Sequence, residues 1–219
     1  METQSISSIR QEYLLATLSE KEVAPSPIDQ FERWLNEAMK SEVLEPTAMV
    51  LSTVSADGQP SSRVVLLKDI DANGFVFYTN YSSRKGSDLS QNDRASLLFF
   101  WPELQRQVRI EGEVKRITPE QSTTYFQSRP RGSQIGAWAS PQSQVVPNRE
   151  FLDDRIEEME KKFEGMEVLP RPEQWGGFCL LPKRIEFWQG RGSRMHDRIR
   201  YEFTTTTQHA EWQIERLAP

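Results

Sequence analysis

Cysteine and histidine are nearly absent from this 219-residue chain, which has one cysteine, Cys179, and two histidines, His196 and His209. A single thiol closes no intrachain disulfide, and so few soft ligands exclude a Cys-rich zinc site or a His-rich metal centre. Long apolar runs are missing as well. The longest, such as Leu97–Trp101, falls far short of the roughly 20 residues that span a bilayer. The first residues are polar and carry Glu2, Glu12, Glu20 and Glu22, unlike a secretory signal. A soluble, cytoplasmic protein without a membrane partner is therefore expected. No P-loop, Gly-x-Ser-x-Gly elbow or internal repeat occurs, and Gly190-Arg191-Gly192 lacks the third glycine of a dinucleotide fingerprint, so it reads as a hairpin turn.

What is present points to a folded domain. The hydrophobic fraction is a modest 37%, yet six Trp and eleven Phe remain, which a disordered chain would lack. The length suffices for a core without disulfides or metals. The net charge of -5 is unevenly spread. Residues 1–50 and 150–173 each hold nine acids against four bases, so the rest is locally basic. One reading is chance placement on solvated faces. The other is a site for an anionic small molecule, since a nucleic-acid surface would make the whole domain basic.

The pattern along the chain is mostly β. Residues 1–25 read as a flexible arm with a short helix. Ser26-Pro27 opens a helix with Ile28, Phe31, Trp34, Leu35, Ala38 and Met39 at helical spacing. Strands are expected at 47–54, 62–68, 75–80, 95–101, 107–117, 177–181, 184–189, 194–203 and 211–217, with a short helix within 82–92. Thr118-Pro119-Glu120-Gln121 starts another helix with a Thr-x-x-Gln box, and 151–163 forms a third. Hairpin order without βαβ alternation favours a closed antiparallel barrel with peripheral helices.

Five basic clusters lie in or beside these strands: Arg63 to Lys68, Ser83-Arg84-Lys85, Arg106 to Arg109, Ser128 to Ser133, and Arg194 to Arg198. Lys68 ends an apolar face and, on spacing alone, reads as a snorkelling edge residue more readily than as a ligand. Ser83-Arg84-Lys85 ahead of a helix can hold a phosphate, or simply cap a surface helix. Arg194, His196 and Arg198 alternate along an expected strand, so they share a face and call for a compensating anion. With no nucleophile–base pair in view, the hard chemistry falls to an organic cofactor.

The run Ile185-Glu186-Phe187-Trp188-Gln189 to Arg194-Met195-His196-Asp197-Arg198 resembles the C-terminal signature of the pyridoxamine 5'-phosphate oxidase family. The similarity extends through Glu45-Pro46-Thr47-Ala48-Met49, Phe77-Tyr78-Thr79-Asn80, Arg106-Gln107-Val108, Tyr125 to Arg131, Ser133 to Trp138 and Arg216-Leu217-Ala218-Pro219, covering the chain from about residue 9. It departs where Glu45 stands for a common Asp and where Pro141 precedes Gln142-Ser143.

The resemblance implies a split β-barrel homodimer with FMN at the subunit interface, an arm or lid over residues 1–25, and one FMN-binding domain over 26–219. It implies oxidation of pyridoxamine 5'-phosphate or pyridoxine 5'-phosphate to pyridoxal 5'-phosphate. Hydride would pass from C4' to flavin N5, and O2 would be reduced to H2O2. It places Arg63, Arg84 and Lys85 on the FMN phosphate, with Gln142 and Ser143 at further cofactor positions. Val64, Val65, Leu66, Leu67, Lys68, Tyr78 and Thr79 would line the flavin, and Gln107, Trp188 and Arg198 would reach it from the second subunit. Lys68, Tyr125, Arg129 and Ser133 resemble a substrate-phosphate clamp. Arg194 and His196 match the catalytic pair that orients the substrate ring, and Arg10 and Tyr13 could close over it. Two other readings stand beside this one: a split-barrel flavoprotein of other specificity, such as a flavin reductase, and a non-enzymatic carrier of flavin or pyridoxal 5'-phosphate.

Overall fold

The computed structural model describes residues 12–71, 73–205 and 210–219. Five helices, α1 (Pro27–Lys40), α2 (Arg84–Gln91), α3 (Pro119–Ser128), α4 (Arg131–Ala139) and α5 (Arg149–Lys162), accompany nine strands. The strands are β1 (Ala48–Val54), β2 (Pro60–Leu66), β3 (Asp69–Asp71), β4 (Gly74–Asn80), β5 (Arg94–Trp101), β6 (Arg106–Arg116), β7 (Trp175–Gln189), β8 (Asp197–Thr205) and β9 (Ala210–Leu217). Their hydrogen-bonded order is β2-β1-β5-β6-β7-β4-β3, with β8 beside β7 and β9 beside β8. The mainly β architecture with peripheral helices is the expected one. The pairings β3–β4, β4–β7, β7–β8 and β8–β9 are all antiparallel. No helix among the described residues is long and apolar enough to cross a membrane.

Local chemistry sets the helix starts. Ser26 Oγ accepts from the Asp29 amide and Pro27 occupies the first turn of α1. Thr118 and Gln121 complete a reciprocal capping box at α3, and Asn148 caps α5.

The chain forms two compact units. One draws on residues up to Met49, Leu97–Glu111 and Pro182–Pro219. Here α1 buries Phe31, Trp34, Leu35 and Ala38. The Phe31 ring meets Phe99 edge-on at 4.9 Å, and Trp34 stands perpendicular to Phe187 at 5.2 Å. Burying each such ring contributes about 1.5–3 kcal/mol. The other unit comprises Val50–Ser96 and Gly112–Leu181. Its helical side packs Phe126, Ile135, Ala139, Met159, Phe163, Leu169 and Trp175 together.

Four sequence expectations change. The described part of the arm, residues 12–25, holds turns and no helix. Helix α4 was not expected, because Pro130 gives it no side-chain cap and its short sequence has a weak apolar stripe. The two strands expected around Pro182 are one, β7. Pro182 lies between the stretch paired with β4, which ends at Leu180, and the stretch paired with β8, which begins at Arg184, so its missing N–H costs neither of those ladders a bond. Finally, Arg194 and His196 are not on a strand. Ser193 and Arg194 are both left-handed, with φ of 55° and 59°, inside a 3-10 turn at Gly192–Arg194, and β8 starts only at Asp197. Extended alternation cannot pass through two left-handed residues.

Candidate active site

Four cations face one cavity of about 490 Å³ in the second unit: Arg63, Lys68, Lys85 and Arg129. No carboxylate is among its lining residues in the described chain. Strand β2 and the residues after it supply Arg63, Val64, Val65, Leu66 and Lys68, and β4 supplies Tyr78 and Thr79. Lys85 comes from the first turn of α2, Tyr125 from α3, Ser133 from α4, and Gln142 from the loop beyond.

Arg63 is held from behind. Its Nη1 donates to Leu51 O at 3.2 Å and to Thr53 Oγ1 at 2.8 Å, and its Nη2 donates to Ser61 Oγ at 3.0 Å. Thr53 in turn donates to the buried carboxylate of Asp88 at 2.6 Å, which lies 3.8 Å from Arg63. Burial lowers the Arg63 pKa, and Asp88 offsets part of that effect. Lys85 Nζ donates to Thr79 Oγ1 at 3.2 Å and Gln142 Oε1 at 3.1 Å. Burial, then the neighbouring Arg63, pulls its pKa down. The α2 cap requires a glycine at 86, where a Cβ would lie 2.2 Å from the Tyr81 carbonyl oxygen.

The opposite wall is aromatic. Tyr78 stacks on Tyr125 at 3.9 Å, and Trp175 lies nearly parallel to both. A Cβ at Gly177 would strike the Tyr78 ring at 2.8 Å, so that glycine lets the ring lie flat against β7. The Arg129 guanidinium sits 4.6 Å over Trp175. Its Nη1 is buried and has no hydrogen-bond partner among the described residues. Burial lowers the Arg129 pKa, opposed by Tyr125, and burial pushes Tyr78 up to about 12. A buried, unpartnered N–H of a cation is costly until an anion satisfies it. The donor set therefore fits phosphate: the cations Arg63, Lys68, Lys85 and Arg129 with the hydroxyls of Tyr125 and Ser133.

A second group of expected residues lies in the first unit. Residues 190–196 connect β7 to β8, and His196 Nδ1 accepts from the Arg191 amide at 3.1 Å. A backbone amide can only donate, so the neutral ring carries its proton on Nε2. Burial lowers the His196 pKa, and Arg194 adds to this. Trp188 lies 4.7 Å from the imidazole, and Tyr13 stands edge-on to both rings. Arg198 donates to Glu186 at 2.8 Å and to Ala218 O at 2.8 Å, and Gln107 lies on β6.

Three expected residues of the second unit stand outside the cavity lining: Leu67 is buried, while Arg84 and Ser143 are exposed. Arg10 lies outside the described residues. Sequence reasoning missed Thr53, Asp88 and Trp175. A polar residue in the buried phase of β1 was the available signal for Thr53, and two glycines after Trp175 marked a close approach.

Known proteins resemble this chain over most of its length. Residues 35–163 match the family model described as pyridoxamine 5'-phosphate oxidase. Residues 175–219 match the pyridoxine 5'-phosphate oxidase C-terminal dimerisation region. A pyridoxine/pyridoxamine 5'-phosphate oxidase of Acaryochloris marina is 53% identical over 98% of this chain and 96% of its own. One from Salinibacter ruber is 51% identical over 98% and 99%. The solved structure of PhzG from Burkholderia lata, in complex with tetrahydrophenazine-1-carboxylic acid, is similar with a TM-score of 0.86 and 31% identity, covering 94% of this chain and 99% of that one. The fold is also shared with an FMN-binding protein of Nostoc punctiforme, at a TM-score of 0.68 and 17% identity over 90% of this chain and all of that one. Fold and matches together define an oxidoreductase of the mainly β, split-barrel class. The chain belongs to the pyridoxamine 5'-phosphate oxidase family.

Proposed function

We propose that this protein oxidises pyridoxamine 5'-phosphate and pyridoxine 5'-phosphate to pyridoxal 5'-phosphate as a cytoplasmic, FMN-dependent homodimer. The observation that carries this reading is the buried, unpartnered Nη1 of Arg129 in a cavity lined by three further cations. FMN, when bound, supplies a hydride acceptor at N5 and passes the electrons to O2, giving H2O2.

The chain's own residues bind and orient. Arg63, Lys85 and the exposed Arg84 take the cofactor phosphate, with Gln142 and Ser143 beside them. Val64 to Lys68, Tyr78 and Thr79 line the ring system, and Gln107, Trp188 and Arg198 reach it from the second protomer at the subunit interface. Lys68, Tyr125, Arg129 and Ser133 grip the substrate phosphate, two cations and two hydroxyls for one dianion. Arg194 and His196 orient the substrate ring, His196 donating its Nε2 proton rather than abstracting one. Holding C4' in a near-attack position is their main contribution. Residues 1–25 act as an arm and lid, in which Arg10 and Tyr13 close over the substrate, and 26–219 act as one FMN-binding domain.

The purified protein should be yellow, and pyridoxine 5'-phosphate in air should yield pyridoxal 5'-phosphate and peroxide. A colourless protein that FMN cannot reconstitute would refute this reading. The likeness to PhzG favours one competing substrate class, reduced phenazine carboxylic acids. Turnover of such an acid without turnover of either B6 phosphate would transfer the assignment to that class.

A further inference from the structure

The backbone of Tyr13–Leu18 is fastened at two points by different chemistry. At the rear, the Leu18 amide donates to Asp197 Oδ2 at 3.1 Å and the Leu18 carbonyl accepts from Arg216 at 2.9 Å. Arg216 also binds Glu20 and Asp197, each at 2.7 Å. At the front a single neutral atom does the work. Gln105 Oε1 accepts from the Leu14 amide at 3.0 Å and the Leu15 amide at 3.3 Å. Leu14 and Leu15 are 75% and 62% exposed, so apolar burial contributes little to holding this end.

Gln105 is itself anchored to the loop that carries His196. It adopts a left-handed conformation, φ 54°, after the 3-10 turn at Pro102–Leu104. Its carbonyl accepts from the Gly190 amide at 2.8 Å and from Gln189 Nε2 at 3.2 Å. Gly190 forms the seat for Tyr13, because a Cβ there would lie 2.7 Å from Tyr13 Cγ. The Tyr13 ring then stands edge-on to His196, centroids 5.8 Å apart.

We propose that Gln105 is a positioning residue: its side-chain carbonyl fixes Tyr13 against His196 and thereby sets how far the imidazole is shielded from water. The link to substrate rests on the reading above that His196 orients the substrate; the link to the imidazole does not. The charged and titratable groups around His196 are Arg194, Asp197, Tyr13 and Arg191, whose guanidinium binds Asp197 at 3.2 Å. Loss of the Tyr13 cover leaves Arg194, Asp197 and Arg191 in place and removes part of the burial that lowers the His196 pKa.

The test compares the FMN-loaded protein with Gln105→Met, which keeps length and loses the acceptor, and with Gln105→Glu, which keeps the acceptor. Hydrogen exchange at the Leu14 and Leu15 amides should speed up about tenfold in Gln105→Met and stay slow in Gln105→Glu. The chain has two histidines, so their ring-proton NMR titrations are separable, with His209→Gln to assign them. In Gln105→Met, and in Gly190→Ala, the His196 midpoint should move up toward 6.5 while that of His209 stays put. The kcat for pyridoxine 5'-phosphate should fall several-fold in both, with KM nearly unchanged. Unchanged exchange in Gln105→Met would overturn the latch. Faster exchange with an unmoved His196 midpoint in both variants would overturn the positioning role. Absence of B6-phosphate turnover in the parent protein would strike the proposed function instead, and leaves the first two readouts decisive for Gln105.

Discussion

The cationic cavity and the His196 loop position their side chains in opposite ways. In the cavity, regular strands and capped helices set the side chains, and three of the four cations are braced: Arg63 by Thr53 and Leu51, Lys85 by Thr79 and Gln142, Arg129 by the Trp175 face. In the loop, two left-handed residues, one amide-to-imidazole bond and a seated tyrosine do the positioning. The first arrangement can bind a phosphate without rearranging. The second depends on short-range contacts that one substitution can loosen. Binding strength should therefore reside in the cavity and turnover in the loop.

Arg194→Ala offers the strongest challenge to that division. Its kcat should fall about a hundredfold, near 3 kcal/mol, while flavin absorbance after dialysis is unchanged. A variant with normal turnover would remove the loop from the chemistry. Next in size, Arg129→Leu should raise the KM for pyridoxine 5'-phosphate about thirtyfold, near 2 kcal/mol, with little change in kcat. Because it deletes a buried, unpartnered N–H, the same variant should melt no lower than the parent by calorimetry. A loss of kcat instead would blur the contrast. Lys85→Ala should weaken FMN retention about tenfold, read as flavin lost on dialysis, and leave substrate KM nearly alone.

The smallest expected effect concerns pH. His196 has a lowered pKa in the folded chain, so folding favours its neutral form. That contribution is complete above the ordinary value of 6.5 and is lost as pH falls below it, because protonating Nδ1 breaks the bond from the Arg191 amide. The kcat measured from pH 8 down to 5 should fall once the pH is below 6.5. A flat profile would mean that the imidazole does not meet the substrate.

Elements built from local hydrogen bonds were readable in the sequence. Ser26-Pro27 and the Thr118–Gln121 box announce α1 and α3 because cap and capped amide lie within three residues. The cations of the cavity were visible as clusters, and the family signature placed most of them. What stayed hidden depends on contacts between distant residues. Asp88 lies 25 positions from the Arg63 it faces, and Trp175 meets Tyr78 and Tyr125 only after folding. Arg194 and His196 were misread because every-second-residue spacing mimics a strand, while the left-handed turn that breaks it involves Ser193 and Arg194, neither of them glycine.

That turn sets stability against activity at one position. A non-glycine residue in the left-handed region costs on the order of 1–2 kcal/mol, which glycine avoids. Arg194→Gly should therefore melt higher than Arg194→Ala although both lack the guanidinium. On the proposed reading, the arginine at φ 59° would be kept for the reaction at the expense of the fold, since stability alone favours glycine there.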